Sequence, residues 1–204
     1  MSTSSRGSNR AAGPSLAAPP ASRRAEPGTG GDRKARLDDD TPIIHDAEPG
    51  AFLFGSWKNV LVAVWESQAT DPGVERMAKV IRTVADARPE ARSNIHIIMD
   101  GAALPEAHTR VKFVELMKQN EGQVACIAVV TGGTGFWASA FRSFITGLRW
   151  LAPRSYDLRL HGTIEEVVRW LPPQHLQRTG VKLDPVRLQR LLVEWSAPKN
   201  HVPR

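Results

Sequence analysis

The sequence predicts an α/β protein with a mixed, mostly parallel β-sheet, about four helices packed on it and an extra C-terminal helix. Short apolar segments rich in β-branched residues alternate with longer segments whose apolar residues recur at helical spacing. This alternation is typical of parallel strands joined by right-handed crossover helices. The chain has 204 residues, 41% of them hydrophobic, which suffices for one domain of ordinary size with further segments at its ends.

Composition divides the chain into three parts. Residues 1–48 are rich in Ser, Ala, Pro, Gly and Arg and poor in large apolar groups, so burial cannot offset the entropy that ordering would cost. We therefore predict a disordered N-terminal arm over residues 1–48, an α/β domain over residues 52–172 and a basic C-terminal extension over residues 173–204.

Five segments are predicted to be strands. The first two, residues 52–54 and 60–65, are joined by too few residues for a crossover, so we expect them to pair antiparallel. Residues 95–99 form the third strand and residues 156–160 the fifth. The fourth, residues 124–130, is the most apolar of all, so we expect it at the centre of the sheet.

Helices are predicted between the later strands and near the C-terminus. The first begins at Asp71-Pro72, an N-cap followed by proline at the first helical position, and the second begins near Pro105. A third follows a glycine-rich turn. The fourth opens with a capping box at Thr163 and is expected to end at Pro172-Pro173. A last helix, residues 185–196, is amphipathic, so it must dock on its own domain or on a partner.

Four short sequences, taken with the order of elements, carry a family resemblance. They are Trp57-Lys58-Asn59-Val60-Leu61-Val62, Gly132-Gly133-Thr134-Gly135-Phe136, Arg142-Ser143-Phe144-Ile145-Thr146-Gly147-Leu148 and Thr163-Ile164-Glu165-Glu166-Val167-Val168-Arg169-Trp170-Leu171. Residues 52–171 resemble the STAS domain, the fold of bacterial anti-sigma-factor antagonists. The resemblance implies a regulatory protein–protein interaction module of bacterial signalling, without catalysis.

One departure limits what the resemblance implies. Antagonists of that family carry an Asp-Ser-x-Gly pattern after the third strand, and a partner kinase phosphorylates the serine. Here Asp100 is followed by Gly101 and Ala102, and the nearest hydroxyl is that of Thr109. The phosphorylation switch and the sigma-factor pathway are therefore not carried over.

A partner surface is predicted from residues near the second and third helices. Trp137 and Phe141 lie off the apolar stripe of the third helix, and large apolar groups outside a core stripe favour a contact surface. Asp100, His108 and Thr109 are the other candidates. Three occupants remain open: another protein, a second copy of this chain, or the C-terminal helix folded back.

The glycine-rich turn suggests an alternative function, a small-molecule or lipid-anion sensor. Backbone N–H groups at the start of a helix can bind an anion, and two arginines seven residues apart share one face of that helix. The candidate contacts are Gly132, Gly133, Thr134, Gly135, Arg142 and Arg149. The other interpretation is that the turn only allows close packing and that the arginines are solvated.

Catalysis, metal binding and cofactor binding are not expected. The sequence lacks zinc-ligand spacings of His and Cys and lacks the Gly-x-Ser-x-Gly nucleophile pattern. An enzyme hypothesis rests on Asp100 and His108 alone, at the strand end where α/β folds place catalytic groups.

Charge and cysteine content bear on the expected class of partner and on the cellular compartment. The net charge is +6, but residues 173–204 alone carry six basic and two acidic side chains, so we do not expect nucleic acid as a partner. The one cysteine, Cys126, lies in an apolar strand and is expected to be a buried, inert thiol. Without a signal peptide pattern or a membrane-spanning run, we expect a cytoplasmic protein.

Overall fold

A computed structural model describes residues 40–132, 136–151 and 157–197, without the side chains of residues 136–138, 149 and 151. The described residues form six strands and five helices, which confirms the α/β class. In chain order they are β1 (Ile43–Glu48), β2 (Phe52–Trp57), β3 (Val60–Trp65), α1 (Asp71–Ala87), β4 (Arg92–Ile98), α2 (Ala107–Gln119), β5 (Val124–Thr131), α3 (Phe136–Leu151), β6 (Asp157–His161), α4 (Ile164–Thr179) and α5 (Pro185–Ser196).

The strands lie in the sheet in the same order as in the chain, β1-β2-β3-β4-β5-β6. The pairs β1–β2 and β2–β3 are antiparallel, and the pairs from β3 to β6 are parallel. The predicted mixed sheet with an antiparallel opening is therefore confirmed. The expectation for β5 needs correction: it is an interior strand, but only β6 separates it from the edge, and the centre falls between β3 and β4.

The two faces of the sheet are covered by different helices. One face, with Leu61, Ala63 and Ile127, packs against α1, α2 and α3. The opposite face, with Val62 and Ala128, packs against α4 and α5. Both faces are buried, which explains why the parallel strands read as continuous apolar runs.

The predicted N-terminal arm is too long at its C-terminal end. Residues 43–48 form β1, an edge strand whose backbone pairs with β2. Arg76 of α1 hydrogen-bonds the carboxylates of Asp46 and Glu48, and His45 Nε2 lies 2.8 Å from Ser56 Oγ. Backbone pairing and these polar contacts order a segment whose hydropathy alone does not predict a strand.

The fourth helix does not end at its prolines. α4 continues through Pro172-Pro173 to Thr179, where Gly180 ends it with a left-handed φ of 73°. Proline removes a helical hydrogen bond, but contacts with the sheet hold the residues of α4 that follow Pro173. His175 is fully buried: its Nδ1 lies 2.7 Å from Ser93 Oγ, and its Nε2 lies 2.7 Å from Asn59 Oδ1.

These hydrogen bonds define the protonation of His175. The amide nitrogen of Asn59 donates to the carbonyl of Ala91 at 2.7 Å, so Asn59 Oδ1 accepts and His175 Nε2 carries the hydrogen. Nδ1 then accepts from the hydroxyl of Ser93. Burial, aided by nearby Lys58, lowers the pKa of His175 to about 4, which keeps the ring neutral near pH 7.

The C-terminal helix folds back on its own domain. Leu188, Leu192 and Trp195 are buried in the same cluster as Leu53 and Val62 of the sheet. Gly55 permits the contact, because a Cβ there would overlap the indole ring of Trp195. The predicted boundary at residue 172 is therefore wrong: the extension, as far as residue 197, completes the domain.

Replacing His175 tests this account of α4. His175→Ala leaves Ser93 and Asn59 buried without their partner, and we expect a loss of about 3 kcal/mol in the free energy of unfolding measured in urea. The matched control is Gln177→Ala on the exposed side of the same helix, expected to stay within about 0.5 kcal/mol of the unaltered chain. A loss below about 1 kcal/mol for His175→Ala would show that other contacts hold α4.

Candidate functional site

The second helix packs chiefly against α1 rather than against the sheet. Thr109 Oγ1 donates to Asp71 Oδ1 at 2.5 Å, which is the main cause of the lowered pKa of Asp71. Lys112 Nζ lies 2.6 Å from Glu75 Oε1 and 3.0 Å from Asp71 Oδ2. The polar contacts of α2 described here therefore join it to α1, while Phe113 packs edge-on against Trp65 of the sheet and Arg110 lies 5.4 Å from the ring of Phe144 on α3.

A cavity of about 90 Å³ lies beneath α2, between this helix, its two neighbours and the sheet. Its lining is mostly apolar and, among the described residues, includes no charged side chain. The lining residues are Trp65, Ser67, Ala69, Met77, Ile81, Asn94, His96, Ile98, Ala103, Pro105, Phe113, Leu116, Met117, Asn120, Val124, Ile127, Val129, Phe141, Phe144, Ile145, Leu148 and Leu158.

Two polar side chains of β4 form part of this lining. Asn94 and His96 lie two residues apart, so they point from the same face of the strand. Asn94 is 7% exposed, and its Oδ1 has no hydrogen-bond partner in the part of the chain that the structure describes. An unpaired buried amide is costly in a folded protein, so this group marks the cavity as a place for a ligand or water.

His96 presents a single free hydrogen-bond donor to the cavity. Its Nδ1 accepts a long hydrogen bond, 3.5 Å, from the indole N–H of Trp65. Because an indole can only donate, the ring hydrogen of neutral His96 lies on Nε2. Burial lowers the pKa of His96 to about 4, so the ring stays neutral near pH 7. A mostly apolar lining with few polar groups is shared with small-molecule sites, but those span about 300–1,000 Å³, so a cavity of about 90 Å³ admits only a small ligand.

A second polar cluster lies on the opposite face of the sheet. Ser93, His175 and Asn59 have the order of a nucleophile, a base and an orienting amide, at hydrogen-bond distances. All three are at most 1% exposed, so a substrate cannot reach the hydroxyl. Cys126 beside them is also buried, and burial raises the pKa of its thiol. This cluster therefore attaches α4 to the sheet.

The predicted anion site lies mostly outside the described residues. Gly132 is described, and a Cβ there would lie 2.7 Å from a carboxylate oxygen of Asp100. The structure thus brings Asp100, which is exposed, next to the start of the turn. Arg142 is exposed. Outside the described residues or side chains lie Gly133, Thr134, Gly135, Trp137 and Arg149, so anion binding there stays a prediction.

Two residues of the predicted partner surface are buried. Phe141 is 6% exposed and lines the cavity, because it lies on the inner side of α3 together with residues 144, 145 and 148. Thr109 is 1% exposed and bonded to Asp71. His108 is 62% exposed, with Nε2 3.4 Å from Asp71 Oδ1. Of the five predicted residues, Asp100 and His108 are therefore seen at the surface.

The described residues contain no cluster of three or more His, Cys, Asp or Glu side chains placed to hold a metal ion. Within the same residues, each helix is too short or too polar to cross a bilayer. Comparison with models of protein families, with curated proteins and with solved structures found no match. The STAS resemblance therefore rests on the order of elements and the short sequences alone.

Two neighbouring valines of β5 test the cavity. Val129 faces the cavity, and Val130 faces the packed side beneath α4. Val129→Phe should change the free energy of unfolding by less than about 1 kcal/mol, because the cavity of about 90 Å³ has room for the four carbons that Phe adds to Val. Val130→Phe should cost about 1–3 kcal/mol by overpacking. Equal losses, measured by urea denaturation, would contradict an unfilled space beneath α2.

Proposed function

We propose that the chain is a non-enzymatic regulatory module of STAS-like type in bacterial signalling. In this proposal a small, mostly apolar molecule binds beneath α2, and a partner protein binds the outer surface of that helix. The observation that carries the proposal is the apolar cavity beneath a helix whose backbone packs mainly on another helix, α1, and not on the sheet.

Ligand binding can act on α2 through its packing. A ligand in the cavity would contact Phe113 and Leu116 of α2 and Ile127 and Val129 of the sheet at once. It would stabilise the position of the helix that makes both sets of contacts, and a ligand shifts an equilibrium by its differential affinity for the two states. The position of α2 is therefore the quantity that the ligand would control.

The outer side of α2 offers the surface that a partner could recognise. Val111 is 56% exposed and His108 is 62% exposed, and both lie on α2. Asp100, at the end of β4, is also exposed. These residues support a partner that is another protein or a second copy of this chain.

Two further observations support the non-enzymatic role and its setting. The Ser93–His175–Asn59 cluster is sealed from solvent, and the lining of the cavity has no charged group among the described residues. The buried, protonated thiol of Cys126 fits the cytoplasmic setting that we propose. The alternative of anion sensing at the glycine-rich turn has less support, because the carboxylate of Asp100 beside Gly132 would repel an anion.

Affinity purification with mass spectrometry tests the proposed partner surface. Val111→Asp places a charge on the outer side of α2 and should remove at least one protein that the unaltered chain retains. The matched control is Val186→Asp, at an exposed position of α5 on the opposite face of the sheet, which should retain the same proteins. Filling the cavity with Val129→Phe should change the amount of that partner. Identical sets and amounts from all four chains would contradict the proposal.

A further inference from the structure

The volume of the cavity limits the size of the ligand that can bind there. The cavity, which is partly open to solvent, offers about 90 Å³, less than the space of about 150 Å³ that admits benzene in an engineered protein core. The lining is dominated by Phe113, Ile127, Phe141 and other apolar side chains. The bound part of the ligand is therefore a short chain or a small ring, held by apolar contact.

The polar groups of the cavity further restrict the chemical class of the ligand. Asn94 Oδ1 lacks a donor among the described residues, and the hydrogen bond from Trp65 leaves the ring hydrogen of His96 on Nε2, where it can donate. The two residues are alternate positions of one strand, so their Cα atoms are about 7 Å apart. A hydroxyl group donates one hydrogen bond and accepts others, so one such group can satisfy both side chains.

Charge excludes other ligand classes. No carboxylate, lysine or arginine lines the cavity among the described residues, so an ionised ligand would lose its hydration without gaining a counter-charge. An ion buried in this way is strongly disfavoured. An entirely apolar ligand would leave Asn94 and His96 unpaired.

We propose that the cavity beneath α2 selects a small, neutral alcohol, whose hydroxyl group donates to Asn94 and accepts from His96. This inference rests on the proposed function, because it names the class of molecule that the module would sense. The apolar remainder of the ligand contacts α2, α3 and the sheet, and the hydroxyl provides the specificity.

The test is an NMR titration of the chain with four probes of similar length: butanol, chlorobutane, butylamine and butyrate. We expect butanol to shift the amide signals of β4 and α2 and to bind at least about tenfold more tightly than chlorobutane. The two charged probes should not bind at the cavity. Equal binding of butanol and chlorobutane, or tighter binding of a charged probe, would overturn the alcohol inference.

Two variants connect the selectivity to the polar groups. Asn94→Leu should remove the preference for butanol over chlorobutane, whereas the control Ile95→Val, on the other face of the same strand, should keep it. If Asn94→Leu does not fold, the titration of the unaltered chain still shows whether the cavity prefers butanol to chlorobutane. If none of the four probes binds, both this inference and the proposed sensing function fail. If chlorobutane binds as well as butanol, only the inference fails.

Discussion

The geometry of three consecutive crossovers constrains this fold more than any other feature. Neighbouring strands lie about 4.8 Å apart, whereas packed helices need about 8–10 Å. From β3 to β6 each crossover leads to the adjacent strand in the same direction, so right-handed connections place α1, α2 and α3 on one face. Three helices side by side span more than the four strands β3 to β6, so they spread over the whole six-stranded sheet. α1 is displaced over β1 and β2, α3 packs on β6, and α2 rests mainly on α1, which leaves the cavity beneath it.

On the opposite face the helices are not displaced in this way, because only two helices, α4 and α5, cover it. α4 lies across β4, β5 and β6, and α5 fills the remaining space over β3. His175 connects α4 to Ser93 and Asn59 by two buried hydrogen bonds. One face is thus closely packed, while the other retains a cavity beneath a helix that packs mainly on α1. The sensing function proposed above would use both faces, since a closely packed sheet would support a helix whose position a ligand changes.

The hydrophobic rhythm of the sequence predicts the class, the order of elements and the antiparallel start, because both sheet faces are buried. Local rules fail where tertiary contacts override them: His175 holds α4 beyond Pro172-Pro173, and pairing with β2 orders residues 43–48. The polar groups of the site have a sequence signal, since Asn94 and His96 alternate with Ile95 and Ile97 in a strand buried on both faces. The cavity has none, because it arises from the spacing of helices that are distant in the chain.

The central claim is that helix spacing leaves an unfilled apolar space beneath α2. Diffraction from a crystal of the chain pressurised with xenon tests it most directly, because xenon binds against apolar side chains where a cavity leaves room for it. The account predicts xenon density bounded by Phe113, Ile127 and Phe141, and none on the face covered by α4 and α5. Side chains of α2 packed directly on β4 and β5, with no xenon between them, would contradict it.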